Sequence, residues 1–261
     1  MAVLDQILSS TRALLPALRR RSAVLEREAA ARPAPANLAL ALRGQSVAVL
    51  AEVKRRSPSA GAINPGLDPL ELARGYAAGG ASAISVLTEM EHFGGTIADL
   101  ALVATEVAVP VLRKDFIVDP VQLVEARAAG AAGALLIVRA LSQPELEALI
   151  QTAVALQLTP LVEAHDRAEL DRALTAEAQV IGINARNLDD FSLDIGASLE
   201  LLATIPADRV AVAESGMSSL AHVARAASAG ADAVLIGGAL AAADDPTVRV
   251  RELTGVTRRG R

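Results

Sequence analysis

Eight short apolar runs that alternate with helical stretches predict an α/β protein, a (β/α)8 TIM barrel with an N-terminal helical extension. Three observations carry this. The runs are apolar throughout rather than alternating, as parallel strands covered by helices on one side and a core on the other must be. The helical stretches recur regularly between them, and polar residues gather where the runs end.

In chain order, residues 1–43 form the extension. Leu8, Leu14, Leu15, Leu18 and Leu25 give a helical stripe from Val3 to Ala31, which Pro33 and Pro35 end. Inside it, the run Arg19-Arg20-Arg21 reads as a solvated helix face rather than an anion patch or a targeting signal. The barrel takes residues 44–261. Its strands are Val47–Val53, Ala83–Leu87, Pro110–Arg113, Ala134–Val138, Thr159–Val162, Val180–Ile183, Arg209–Ala213 and Ala233–Ile236. Helical patterns lie between them at Pro69–Ala78, Pro120–Ala129, Gln143–Leu156, Arg167–Leu174, Ile195–Leu202 and Ser218–Ala229. Several open on Asp, Ser or an early Pro, and several close on Gly79-Gly80, Gly130 or Gly230.

Composition removes whole classes of function. A net charge of −5 and a pI near 5.3 give no general attraction for nucleic acid or an anionic membrane. With no Trp, one Tyr and three Phe, there is little for bases to stack on. The absence of Cys excludes disulfides and thiolate metal sites. Asp5 stands where a secretory signal carries its positive end, and no apolar stretch reaches the roughly 20 residues of a membrane span. The expectation is a cytoplasmic enzyme of a small molecule, a monomer or a homodimer.

The strand ends carry the chemistry in such a barrel. They read Glu52 and Lys54, Thr88-Glu89, Arg113-Lys114-Asp115, Arg139, Glu163, Asn184 with Arg186, Glu214-Ser215-Gly216, and Gly237-Gly238. One or two of these can be structural ion pairs; so many on one mouth point to a site. Among 25 basic residues only Lys54 and Lys114 are lysines. Arginine keeps its proton near neutrality, whereas a lysine whose pKa is lowered by burial or a second cation can serve as a general acid. Glu52 and Lys54, two apart on a strand, share the interior side. Lys114 and Glu163, ending the third and fifth strands, approach them from opposite sides.

A phosphate site also has its parts. Ser215-Gly216 follow the seventh strand and Gly237-Gly238 open a short helix after the eighth, where backbone N–H groups can cradle an anion. Ser57 can add a hydroxyl.

The segments "AEVKRRSPSAG", "SVLTEMEHFGG", "VPVLRKDFIVDPVQLVEARAAGA", "LLIV", "PLVEAH", "IGINARNL", "VAESGM" and "VLIGGAL" occur in order and at matching spacings. Across residues 45–242 the chain resembles the indole-3-glycerol phosphate synthase family, which also has an extra N-terminal helical segment. That resemblance implies ring closure of 1-(2-carboxyphenylamino)-1-deoxyribulose 5-phosphate with loss of CO2 and water, without metal or organic cofactor. It implies Lys114 as general acid, Lys54 holding the substrate carboxylate and serving as a second acid, and Glu163 as general base. Glu52 would hold Lys54 or a substrate hydroxyl. Asn184, Arg186, Glu214 and Ser215 would orient the substrate, Phe93 and Phe116 would wall its aromatic ring, and Ser57, Gly216, Gly237 and Gly238 would hold phosphate.

Three positions depart from the family. Ala185 stands where many members have a second Asn, Gly238 where many have Ser, and Ala164 where a larger β-branched residue is common. The three histidines form no metal-ligand spacing; His92 could line the mouth, His165 reads as a cap or surface residue, and His222 sits in a helix. Two other readings keep the barrel: a sugar-phosphate isomerase, which needs only one acid–base pair, and a binding protein without catalysis.

Overall fold

The computed structural model describes residues 3–57, 61–62, 66, 68–187 and 191–260, with only the backbone of Ser57 and Ala62. Eight parallel strands close into a barrel: β1 Ala48–Val53, β2 Ala83–Leu87, β3 Val111–Lys114, β4 Gly133–Ile137, β5 Thr159–Ala164, β6 Val180–Asn184, β7 Val210–Glu214 and β8 Ala233–Ile236. Closure is made where β8 pairs with β1, Ala48 opposite Ala233 and Leu50 opposite Leu235. Each expected strand is present, with ends shifted by at most two residues.

Period-two alternation divides each strand between two cores. Val49, Ala51, Val53, Val111, Val162, Ala211 and Ala213 join the outer core under the helices, while Ala48, Leu50, Leu112, Leu161, Val210 and Val212 fill the barrel. The same parity sends Glu52, Lys114, Glu163 and Glu214 inward. They come from β1, β3, β5 and β7, the alternate strands that supply one four-residue layer of such a barrel.

The stripe from Val3 to Ala31 is two helices, not one: α1 Val3–Arg19 and α2 Ser22–Ala31. The chain turns at Arg20 and Arg21, which are exposed, but Arg19 is not merely solvated; its guanidinium bonds Asp119. Leu15, Leu25 and Ala29 pack there with Val121 and Ala128. A short α3, Leu38–Ala41, sends Leu38 into the N-terminal end of the barrel, where it fills the space left by Gly133. Beyond the barrel's first strand the helices are α4 Pro69–Ala78, α5 Ile97–Glu106, α6 Pro120–Ala128, α7 Gln143–Ala155, α8 Arg167–Thr175, α9 Ile195–Leu202, α10 Leu220–Ser228, α11 Gly238–Ala241 and α12 Pro246–Leu253. Asp68, Asp119, Asp166, Asp194, Ser219 and Asp245 cap their first turns, satisfying N–H groups that have no partner within the helix.

Candidate active site

The charged layer forms the floor of a cavity of about 530 Å³ at the C-terminal mouth of the barrel. Lys114 Nζ lies 2.9 Å from Glu163 Oε2 and 3.5 Å from Glu214 Oε2. Lys54 Nζ lies 2.9 Å from Glu52 Oε1 and 6.0 Å from the centre of the Phe93 ring. Phe93 and Phe116 are tilted against each other with centroids 6.1 Å apart, an apolar wall beside the ammonium.

The layer exists because two glycines leave room for it. A Cβ at Gly182 would fall 2.0 Å from Glu214 Oε1, and one at Gly237 would fall 2.5 Å from Glu52 Oε1. Asn184 is oriented by its neighbours. Its side-chain oxygen accepts the Ser215 hydroxyl at 2.7 Å and the Arg186 N–H at 3.0 Å, which leaves its amide N–H groups for Glu163. Arg186 donates to the Phe191 carbonyl at 3.0 Å, and a bridge from Arg186 to Leu193 folds this loop over the cavity.

The electrostatics of the layer depart from the sequence expectation. Burial works to lower Lys114, but the charges of Glu163, Glu214 and Glu52 outweigh it, and the ammonium is held above its ordinary range. Lys114 is therefore not a lysine with a lowered pKa. Burial would raise Glu163, yet Lys114, His165 and the Asn184 hydrogen bond bring it down to about 2. Glu214 goes the other way. Its burial, added to the charges of Glu163 and Glu52, exceeds the pull of Lys114 and raises it to about 8. Near neutrality the layer thus holds an ammonium, an ionised Glu163 and a protonated Glu214.

The glycines expected to hold phosphate also line the cavity. Ser215 and Gly216 both take left-handed backbone, φ 63° and 73°, and a Cβ at Gly216 would press on Ile195 at 2.7 Å. Gly237 precedes α11, whose first residues, Gly238 and Ala239, line the cavity; a Cβ at Gly238 would meet nothing within 4 Å. The Ser57 hydroxyl lies outside the described residues. The other residues assigned to the site from the sequence all line this one cavity: Glu52, Lys54, Phe93, Lys114, Phe116, Glu163, Asn184, Arg186, Glu214, Ser215, Gly216, Gly237 and Gly238.

Several polar strand ends instead form scaffold. Arg113 faces the helix layer and bonds Thr88, Asp115, the Gln122 carbonyl and Glu125. Glu89 accepts the backbone N–H groups of Glu91, His92 and Phe93, and His92 Nδ1 at 3.2 Å, so the Glu89, Glu91 and His92 cluster is a turn cap. Sequence reasoning missed the second apolar wall, Phe191, Leu193 and Ile195. It also misplaced His165, whose side chain is 5% exposed and lies 3.5 Å from Glu163.

Fold and cavity together define a (β/α)8-barrel enzyme with its ionisable groups gathered at the mouth. A family model described as indole-3-glycerol phosphate synthase matches residues 4–253. Indole-3-glycerol phosphate synthase 1 of Streptomyces coelicolor is 51% identical over 256 residues, 97% of this chain and 95% of that protein. The indole-3-glycerol phosphate synthase of Mycolicibacterium vanbaalenii is 48% identical over 255 residues, 96% of this chain and 93% of that one. Among solved structures, 3-hexulose-6-phosphate synthase from Salmonella typhimurium superposes with a TM-score of 0.62 at 15% identity, over 79% of this chain and 96% of that one. Thiamine phosphate pyrophosphorylase from Pyrococcus furiosus gives 0.59 at 17%, over 83% and 96%; these two share the fold. The chain belongs to the indole-3-glycerol phosphate synthase family, and with it to the carboxy-lyases of tryptophan biosynthesis.

Proposed function

We propose that this protein closes the indole ring of 1-(2-carboxyphenylamino)-1-deoxyribulose 5-phosphate, using Lys114 as general acid, Lys54 as carboxylate anchor and second acid, and Glu163 as general base. The observation that carries the reading is one cavity in which Lys114 Nζ touches Glu163 while Lys54 stands over the Phe93 wall. The aromatic ring lies against Phe93 and Phe116 with its carboxylate on Lys54. The ribulose chain crosses the charged layer, and the phosphate reaches Gly216, Gly237 and Gly238, with Ser57 able to add its hydroxyl. Asn184, Arg186, Glu214 and Ser215 orient the chain between these ends, and Glu52 keeps Lys54 in place.

Three steps follow. The ring carbon bearing the carboxylate attacks the sugar carbonyl, whose oxygen takes a proton from Lys114. The C–C bond to the carboxylate then breaks, CO2 leaves, and its electron pair restores the ring. Finally the hydroxyl departs as water with a second proton from the acid, while Glu163 removes a proton from the neighbouring CH2 carbon to complete the indole. Two protons are delivered and one is taken, so each turnover draws one from solvent. Each transfer needs a positioned group, and such groups contribute on the order of 10²–10⁴ in rate. Neither a metal nor an organic cofactor is required for this sequence of steps, and the reading places the enzyme in the cytoplasm, acting on a small phosphorylated substrate.

Indole fluorescence on adding the substrate tests the activity. Glu163→Gln should bind substrate with little change and lose turnover by roughly 10²-fold or more. A folded parent that gives no fluorescence, or a fully active Gln variant, would remove the reading or its base.

A further inference from the structure

Glu163 has a second neighbour that the steps above leave idle. His165 lies two residues beyond it, where β5 runs into the loop before α8. Its Nδ1 is 3.0 Å from Glu169 Oε2, and the same oxygen accepts its backbone N–H at 2.8 Å. Arg139 grips the other Glu169 oxygen at 2.8 Å, and these partners hold Glu169 below the usual carboxylate range despite its burial. The imidazole is thus fixed from behind. Its Nε2 stands 3.5 Å from Glu163 Oε1, buried and without a hydrogen-bond partner among the described residues. Carboxylate oxygens only accept, so the ring can serve Glu169 and Glu163 together only by donating at both nitrogens.

Two other observations make this geometry matter. Lys114 bonds Oε2 of Glu163, so His165 faces the oxygen that Lys114 leaves. A substrate oxygen that draws Lys114 away removes one partner of the base when it must be ionised; His165 sits outside the cavity lining and stays. The charged and polar groups around this axis are Glu169 and Asp166 from α8 and its cap, Arg139 from the turn after β4, Lys114 from β3, Asn184 from β6 and Glu214 from β7.

We propose that His165 is a positioning residue for the base: anchored on Glu169, it closes a hydrogen bond to Oε1 of Glu163 during turnover and keeps that carboxylate ionised and aimed at the substrate. This rests on the reading of Glu163 as the base. His165 neither gives nor takes a proton in the cycle; the substrate proton ends on Glu163.

The test compares His165→Phe, which fills the space without a donor, with His165→Gln, which keeps one amide N–H. The Phe variant should lose about 10- to 100-fold in kcat, the worth of one charge-assisted hydrogen bond, with KM within about twofold. The acid limb of its kcat profile should move to higher pH, because Glu163 loses the partner that favours its charged form. Gln should recover most of the turnover. An unchanged kcat, or equal losses in both variants with the acid limb unmoved, overturns the proposal and leaves His165 as packing. If the Phe variant does not fold, Glu169→Gln takes its place: the ring remains but its anchor weakens, and the same limb must move. Glu163→Gln assayed alongside separates the two readings. If it stays active the base assignment fails, whereas a dead Gln variant beside normal His165 variants sinks this inference alone.

Discussion

Arg113 and Lys114 stand side by side in β3, and because successive strand residues face opposite ways, one enters the helix layer and the other the cavity. Both are surrounded by acids. Arg113 spends its planar fork on Thr88, Asp115, the Gln122 carbonyl and Glu125, and its side chain is 5% exposed. Lys114 has one short contact, at 2.9 Å, and a longer one at 3.5 Å, with the cavity open beside it. The outer network is made among protein groups, and of its members only Asp115 also borders the cavity. The inner one is open: Glu163 and Glu214 share the Lys114 ammonium, and burial, together with the charges of Glu163 and Glu52, pushes Glu214 up to about 8. Buried charge pairs at one rim therefore act as a weld on one face and as a proton store on the other.

Removing a member separates the two. Arg113→Ala should cost about 3–5 kcal/mol of stability, because Asp115 and Glu125 are left as uncompensated buried charges. Chemical denaturation of the variant measures it; a loss below about 1 kcal/mol would mean that water enters and the network is no weld. Lys114→Arg should do the reverse. Stability should change little, while turnover falls on the order of 10²-fold, since a guanidinium holds the charge but its planar fork does not put a proton where Nζ puts one. Near-normal turnover would remove the acid role from Lys114.

Much of this was legible in the chain. Strands buried on both faces read as unbroken apolar runs, and Asp and Ser caps marked the helix starts, so the barrel followed almost residue by residue. Strand parity placed Glu52 and Lys54 inside together, and the same parity distinguishes Arg113 from Lys114. Two features were out of reach. The direction of the Lys114 shift depends on Glu163, Glu214 and Glu52 converging from strands 49, 100 and 62 residues away in sequence. The position of His165 depends on how the loop after β5 turns back, which Glu169 and Arg139 decide from two other elements. The wall of Phe191 and Leu193 likewise exists only because the loop folds through the Arg186–Leu193 bridge.

The proton on Glu214 gives the open network a pH signature that the outer one lacks. An unfolded glutamate titrates near 4.5, the folded one at about 8. Between these values the folded chain holds a proton that the unfolded chain has released, so stability from this group falls as pH rises through that window. Glu163 contributes in the other direction: its stabilisation is present above 4.5 and is lost as pH falls toward 2. Glu214→Gln should therefore gain in Tm relative to the parent as pH is raised from 5 to 8. Thermal melts across that range decide it, and a constant difference would mean that Glu214 is ionised throughout.

Gly237 and Gly238 repeat the contrast between chain neighbours with the smallest expected effect. A methyl at 237 meets Glu52 Oε1 at 2.5 Å and must push that carboxylate off Lys54, whereas one at 238 meets nothing within 4 Å. Gly237→Ala should lower kcat/KM roughly tenfold, the lower end of what overpacking a filled space costs. Gly238→Ser should leave kcat unchanged and lower KM at most a few-fold, by adding one hydroxyl beside the phosphate corner. Steady-state kinetics of the two variants side by side read the difference directly. Equal losses would mean that the corner senses bulk alone, and that the Glu52–Lys54 pair does not depend on the glycine behind it.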